Sequence, residues 1–363
     1  MKVIMTGGGT GGHIYPAIAI ADKIKAENPD AEIIFVGTEH GLEKKIVPAS
    51  GYEIRFITAE GIDRKNLLKN IDVLRKLMKG NRQAKKIVED FQPDMVIGTG
   101  GYASAPVIKA GYKFGANVYI HESNALPGLT NRVSEKYVKN VFLGFAEAAS
   151  HFKQPEKHVL TGNPVRKDFF TITKEEAREA LGIKQDRFVA LAFGGSQGAG
   201  RINKAMMDVV SAFNGSDDTD IYLGTGSFYY DAILEELKAR GVEPAENIRI
   251  MEYINEMDKY LKAADMVISR SGALTVAEVT VCGKPAVFIP SPIVTGNHQY
   301  FNAKAVADKN GAFILEEKEL TGEKIAEYIS MLKEDSALLE EMSAASRDCA
   351  LTDATDVIYA HLK

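Results

Sequence analysis

The chain has 363 residues, 45% of them apolar and 26% charged, the balance of a folded globular protein and too long for one core, so two domains are expected. Two cysteines, Cys282 and Cys349, offer no disulfide framework and fit a reducing cytosol; the N-terminal apolar run is too short for a signal peptide, and no stretch approaches the roughly 18 uncharged apolar residues of a spanning helix. The net charge of −5 divides into +5 over residues 1–160 and −10 over the remainder, which points the first half towards an anionic surface.

In chain order, Lys2 to Thr6, Glu32 to Gly37, Met95 to Gly98, Val118 to His121 and Val141 to Gly144 are short β-branched runs, separated by helical patterns such as Ala17 to Ala26 and Arg82 to Asp90. Gly and Pro break the periodicity at Thr161 to Arg166, and a polar helical stretch follows from Lys174 to Leu181. The alternation restarts with Phe188 to Phe193, Asp220 to Gly224, Ile248 to Glu252, Met266 to Ser269, Ala286 to Pro290 and Ala312 to Ile314. Strands of four to six residues between helices predict parallel sheets buried on both faces, hence an α/β protein of two doubly wound domains. Ligands of such sheets bind beyond the carboxyl ends of the strands, so a cleft there is the expected active site.

Two glycine turns each follow an apolar strand and open a helix: Gly7 to Gly12, and Gly194 to Gly198. Backbone N–H groups and the positive helix end at such turns attract anions. Gly7-x-Gly9-x-x-Gly12 satisfies the dinucleotide fingerprint, with Glu39 as a possible ribose acid, so an NAD-dependent oxidoreductase is one reading; a nucleotide-sugar binding module without catalysis is another. His13 directly after the last glycine stands in the first helical turn, where the dipole disfavours imidazolium and leaves a proton acceptor; a capping or packing histidine satisfies the same local pattern. Gly194 to Gly198 adds the Ser196 hydroxyl and suits a diphosphate. Ser269 to Glu278 opens another helix, with Glu278 placed either to accept from a ribose diol or to lie solvated. Gly296 to Asn302 and His121 to Asn124 gather amide and polar groups suited to sugar hydroxyls at strand ends. Asp218-Thr-Asp220 reads as a solvated loop, and neither metal-ligand spacing nor a P-loop is present, so no metal and no cofactor are expected.

Leu67, Leu68, Ile71, Leu74, Leu77 and Met78 recur at helical spacing among Arg64, Lys65, Lys69, Arg75, Lys76 and Lys79, with nine basic and two acidic residues over 61–86. The pattern fits a core-facing helix with a basic outer face, or a seat on an anionic bilayer.

Gly8 to His13, His121 to Arg132, Gly162 to Arg166, Gly194 to Ala199, Arg270 to Glu278 and His298-Gln299 together resemble, in order and spacing along the whole chain, the MurG family of bacterial N-acetylglucosaminyltransferases. The resemblance implies a GT-B fold of two Rossmann-like domains. It implies an acceptor and membrane-associating domain over residues 1–163, joined by a C-terminal helix from about 347 to 363, and a donor domain over 164–346. It further implies inverting, metal-independent transfer of N-acetylglucosamine from UDP-N-acetylglucosamine to the muramyl 4-hydroxyl of lipid I, giving lipid II. The donor would touch Thr10, Gly11, Gly12, Asn124, Arg166, Ser196, Ile254, the run Ala273, Leu274, Thr275, Val276, Ala277 and Glu278, and Gln299. Ile254 would meet the uracil, Glu278 the ribose, Ser196 the diphosphate and Gln299 the sugar. His13, Glu122 and Asn124 would form the catalytic set. Leu67, Leu68, Ile71, Leu74, Arg75, Lys76, Met78 and Lys79 would seat the enzyme peripherally on the cytoplasmic face of the inner membrane, in reach of cell-wall synthesis proteins and of no nucleic acid. Ser123 and Ile293 depart from residues common among relatives.

Overall fold

The computed structural model describes residues 1–60, 70–195 and 197–362, with the side chains of 70–74 and 295 left aside. It divides into two compact units, Met1–Val165 with Leu351–Lys363, and Arg166–Ala350.

In the first unit the elements are β1 (Lys2–Gly7), α1 (Gly11–Glu27), β2 (Glu32–Gly37), α2 (Glu43–Ala49), β3 (Glu53–Phe56), α3 (Asn70–Phe91), β4 (Met95–Gly100), α4 (Ser104–Phe114), β5 (Asn117–Glu122), α5 (Leu129–Ser134), β6 (Asn140–Leu143) and β7 (His158–Leu160). Among the described residues they form a seven-stranded sheet in the order β3-β2-β1-β4-β5-β6-β7, paired in parallel throughout. The central strands are apolar because helices cover both faces, and a parallel sheet so covered demands it. The strands absent from the sequence reading, β3 and β7, are the two edges, only four and three residues long and without a fully buried position. Short, partly charged edge strands protect a sheet from pairing with another chain and carry little hydrophobic signal.

The second unit runs α6 (Lys174–Leu181), β8 (Phe188–Phe193), α7 (Gly200–Phe213), β9 (Thr219–Gly224), α8 (Tyr230–Ala239), β10 (Ile248–Met251), α9 (Met257–Ala263), β11 (Met266–Ser269), α10 (Ala273–Val281), β12 (Ala286–Phe288), α11 (His298–Ala307), β13 (Ala312–Ile314), α12 (Gly322–Glu334) and α13 (Ser336–Asp348). Its strands order as β10-β9-β8-β11-β12-β13, again all parallel. Every residue of β8 is buried. Helix α6 begins on a capping box between Thr173 and Glu176 and ends on Gly182 at φ 66°. Asp265 ties that helix to the sheet by accepting from Arg178 Nη2 and from the backbone N–H of Val189, each at 2.7 Å.

Arg347 stays with the second unit, its guanidinium over Gly283, and the chain rejoins the first unit at Leu351. There α14 (Ala354–Ala360) lies against α1, with Ile358 and Leu362 in the core and Asn28 Nδ2 donating to Tyr359 Oη at 2.6 Å.

Candidate functional site

The first glycine turn carries His13 half-buried in the first turn of α1. Its Nδ1 lies 3.1 Å from the carbonyl oxygen of Gly8 and 3.4 Å from Thr10 Oγ1. A carbonyl only accepts, and a ring lone pair facing it at that distance would be repelled, so in the neutral ring Nδ1 holds the proton and Nε2 presents the lone pair. A side chain on Gly100 would come within 2.9 Å of Nε2, and one on Gly101, at φ 86°, would collide with the Gly8 carbonyl. The missing β-carbons at the end of β4 therefore form the socket of the imidazole. Thr99 Oγ1 completes it by donating to the His13 carbonyl at 2.7 Å.

Beneath the same turn lies Glu43, 1% exposed, which sequence reasoning passed over. Its Oε2 accepts from Gly9 N–H at 2.9 Å, and its Oε1 from the N–H and hydroxyl of Thr38 at 2.9 and 2.8 Å. Gly8, Gly37 and Gly41 surround it, and no β-carbon fits at any of the three. Burial alone would raise this carboxyl, but the Gly9 and Thr38 bonds outweigh it and hold it below the usual carboxylate range. Glu39, the acid on which a dinucleotide reading depends, is exposed at the end of β2. The expectation of an anion site at this turn therefore meets a buried negative charge on one of the N–H groups a phosphate would use.

At the end of β5, Glu122 is 2% exposed and both of its oxygens are occupied. Oε1 accepts from Asn124 N and Nδ2 at 2.9 and 3.2 Å, and Oε2 from Gly128 N and Asn131 Nδ2 at 3.0 and 2.9 Å. Four donors of its own loop thus occupy this carboxylate, which holds the loop's shape and the Asn124 side chain in place. His121 is fully buried; burial drives it down to about 4, against the bond from Nε2 to the Gly162 carbonyl at 3.1 Å and with the nearby His13 lowering it further. Ser123, one of the departures, sits 3.4 Å from both His121 Nδ1 and the Gly12 carbonyl, joining the loop to α1.

In the second unit, Ser196 lies outside the described residues, while the rest of its turn is defined by close backbone approach. Gly195 and Gly198 take φ 90° and 76°, and Gly198 and Gly226 admit no β-carbon because each lies against the backbone of the other's turn, Thr225 and Gln197 respectively. Among the described residues, helices α7 and α10, like α1, start without a side-chain cap and without an acid in the first turn. The orphan N–H groups and positive ends of α7 and α10 are thus available for an anion. Asn203 Nδ2 donates to the Thr225 carbonyl at 2.9 Å and locks the first turn of α7 in place.

Ala273, Leu274, Thr275, Val276 and Ala277 form the opening turns of α10, with Ala273 and Val276 buried. Glu278 follows directly and is half-buried, and desolvation raises its carboxyl to about 7 against the pull of Arg166. Arg166 is exposed, its guanidinium 5.4 Å from the centroid of the Phe169 ring. Ile254, expected to meet the uracil, is 5% exposed, with its side chain packed over Gly224. Gln299 Oε1 accepts from Ser291 N at 2.8 Å, and its own carbonyl accepts from Ser271 Oγ at 2.8 Å, which couples α11 to the start of α10. Ile293 stands 91% exposed in the loop between β12 and α11.

Of the basic segment, Leu67 and Leu68 lie outside the described residues, as do the side chains of Ile71 and Leu74. Further along α3, Leu77 and Met78 are 45% and 51% exposed beside exposed Arg75 and Lys79, while Lys76 pairs with Glu60 at 2.6 Å. Among the described residues no helix is long and apolar enough to cross a membrane.

Residues 3–143 match the glycosyltransferase family 28 N-terminal domain and residues 189–358 its C-terminal domain. The chain is 40% identical over its whole length, and over 98% of the relative, to a UDP-N-acetylglucosamine--N-acetylmuramyl-(pentapeptide) pyrophosphoryl-undecaprenol N-acetylglucosamine transferase of Alkaliphilus oremlandii. It is 39% identical to the Bacillus subtilis enzyme of the same name, over 100% of this chain and 99% of that one. Among solved structures, MurG of Acinetobacter baumannii superposes with a TM-score of 0.79 at 27% identity, covering 99% of both chains. The calicheamicin glycosyltransferase CalG4, at 15% identity and a TM-score of 0.71 over 99% of this chain and 98% of that one, shares the fold alone. The two parallel-sheet units are those of a GT-B protein, and the chain belongs to glycosyltransferase family 28.

Proposed function

We propose that this chain moves N-acetylglucosamine from UDP-N-acetylglucosamine to the 4-hydroxyl of the muramyl sugar of lipid I, with inversion at the anomeric carbon, and so makes lipid II. The observation that carries the reading is full-length similarity, at about 40% identity, to transferases named for these substrates. The geometry of each unit supports it. The acceptor hydroxyl gives its proton to Nε2 of His13 as its oxygen attacks the anomeric carbon, and the C–O bond to UDP breaks on the opposite face. Thr10, Gly11, Gly12 and Asn124 line the sugar end of the site.

Charge growing on the leaving diphosphate is met by the uncapped starts of α7 and α10, by Arg166 and by the Ser196 hydroxyl. Glu278 accepts from the ribose hydroxyls, Gln299 donates to the sugar, and the main chain of Ile254 reads the uracil edge. The substrate lipid resides in a bilayer, so the exposed Leu77 and Met78, with Arg75 and Lys79 around them, seat the first unit on an anionic membrane surface from the cytoplasmic side. Purified protein incubated with UDP-N-acetylglucosamine and a short-chain lipid I analogue will release UDP and form the disaccharide product only when both are present. UDP release indifferent to the acceptor would overturn the assignment.

A further inference from the structure

Glu43 and His13 never touch, yet they hydrogen-bond to opposite ends of one peptide group. The Gly8 carbonyl receives His13 Nδ1 at 3.1 Å, and the N–H of Gly9, the other half of that same amide, donates to Glu43 Oε2 at 2.9 Å. We propose that the Gly8–Gly9 peptide relays the Glu43 carboxylate to His13, making Glu43 a positioning residue for transfer. The proposal rests on the reading of His13 as the base.

The physical case has three parts. A carboxylate on an amide N–H draws electron density towards the amide oxygen, and hydrogen bonds in series strengthen one another. The strengthened Gly8 acceptor fixes the Nδ1–H tautomer, leaves Nε2 as the proton acceptor, and favours the positive charge that the ring gains as the acceptor hydroxyl ionises. A carboxylate bonded directly to a catalytic histidine does the same work, here with one peptide interposed. The third part is the investment of structure. A buried carboxylate is costly unless fully bonded, and this one is held by Gly9 and Thr38 in a cage where Gly8, Gly37 and Gly41 leave no room for a side chain. A sheet end needing only a turn would not require a charge there. His121, which couples electrostatically to His13, is held neutral by burial.

The test compares E43Q, H13Q and the unaltered chain with UDP-N-acetylglucosamine and the short-chain lipid I analogue, alongside imidazole NMR of 15N-histidine-labelled protein. Glutamine keeps the shape and an acceptor for Gly9 but removes the charge. The relay predicts that E43Q loses about tenfold in kcat with KM for the donor unchanged, and that the His13 Nδ1 proton moves upfield. Unaltered kcat in E43Q, or a parallel loss of kcat, donor affinity and melting temperature without the NMR change, would overturn it. An inactive H13Q beside a silent E43Q removes the relay and keeps the base; an active H13Q removes both. Should E43Q not fold, an Nε2–H tautomer of His13 in the unaltered protein would still overturn the relay.

Discussion

The two glycine turns are built from the same strand-turn-helix unit and differ in what lies beneath them. Under Gly7 to Gly12 sits the buried carboxylate of Glu43, bonded to the N–H of Gly9, and the helix above carries His13. Under Gly194 to Gly198 lies the backbone of Thr225 and Gly226, and the helices α7 and α10 begin with neither cap nor acid. Helix α1 starts as bare of caps and first-turn acids as α7 and α10 do, so what separates the two turns is the negative charge held on the Gly9 N–H just ahead of α1, which disfavours a second anion there. The difference teaches that a glycine pattern specifies backbone shape and not the sign of the ligand. On the proposed mechanism one turn holds the base and the other is left for the diphosphate.

Substitutions can break this comparison at either turn. The largest effect is expected for H13A, which should lower kcat by about 10² to 10⁴ while UDP affinity, measured calorimetrically, stays within a few fold. Equal losses in both would mean that the first turn binds the donor as well. Next, G198A places a methyl against the Thr225 backbone at φ 76° and should weaken UDP binding by about tenfold or more. G9A, at φ 85° with open space around it, should cost only about 1 kcal/mol of stability in a melting experiment and leave UDP binding intact.

A third expectation concerns Glu278. Its carboxyl, raised to about 7 by burial, keeps its proton in the folded protein where an unfolded chain has already lost it, so this group favours the fold below pH about 4.5 and loses that contribution as pH rises through about 7. Ribose hydroxyls donate to the ionised form, so UDP should bind about tenfold more weakly at pH 6 than at pH 8, and E278Q should be weak at both. A flat pH dependence of UDP affinity in the unaltered protein would remove the ribose role. The smallest effect belongs to the surface: L77E with M78E should reduce binding to vesicles containing anionic lipid by about tenfold without lowering the melting temperature. A large stability loss would return that stretch of α3 to the core.

The fold was legible where apolar runs are long enough to be buried on both faces, as in Phe188 to Phe193 and Met266 to Ser269, whose bounds the structure reproduces. It was illegible at β3 and β7, whose short, part-exposed edges have no hydrophobic pattern to read. His13 announced itself by following a glycine turn. Glu43 did not, because its place under the turn comes from a tertiary contact 34 residues away, with the pair Gly37 and Gly41 around it as a local trace. Glu122 was visible as a polar group at a strand end, but its four donors, spread over Asn124, Gly128 and Asn131, arise only once the loop closes on it. Likewise Ile254 could be placed after β10, while its burial against Gly224 depends on the neighbouring strand.

The most direct test follows backbone amide signals of 15N-labelled protein as UDP is added. The account predicts that the amides of Gly195, Gly198, Ala199, Gly200 and Ala273 move and saturate together while that of Gly9 stays on Glu43 and unshifted. Saturable movement of the Gly9 amide, with the second turn silent, would contradict it.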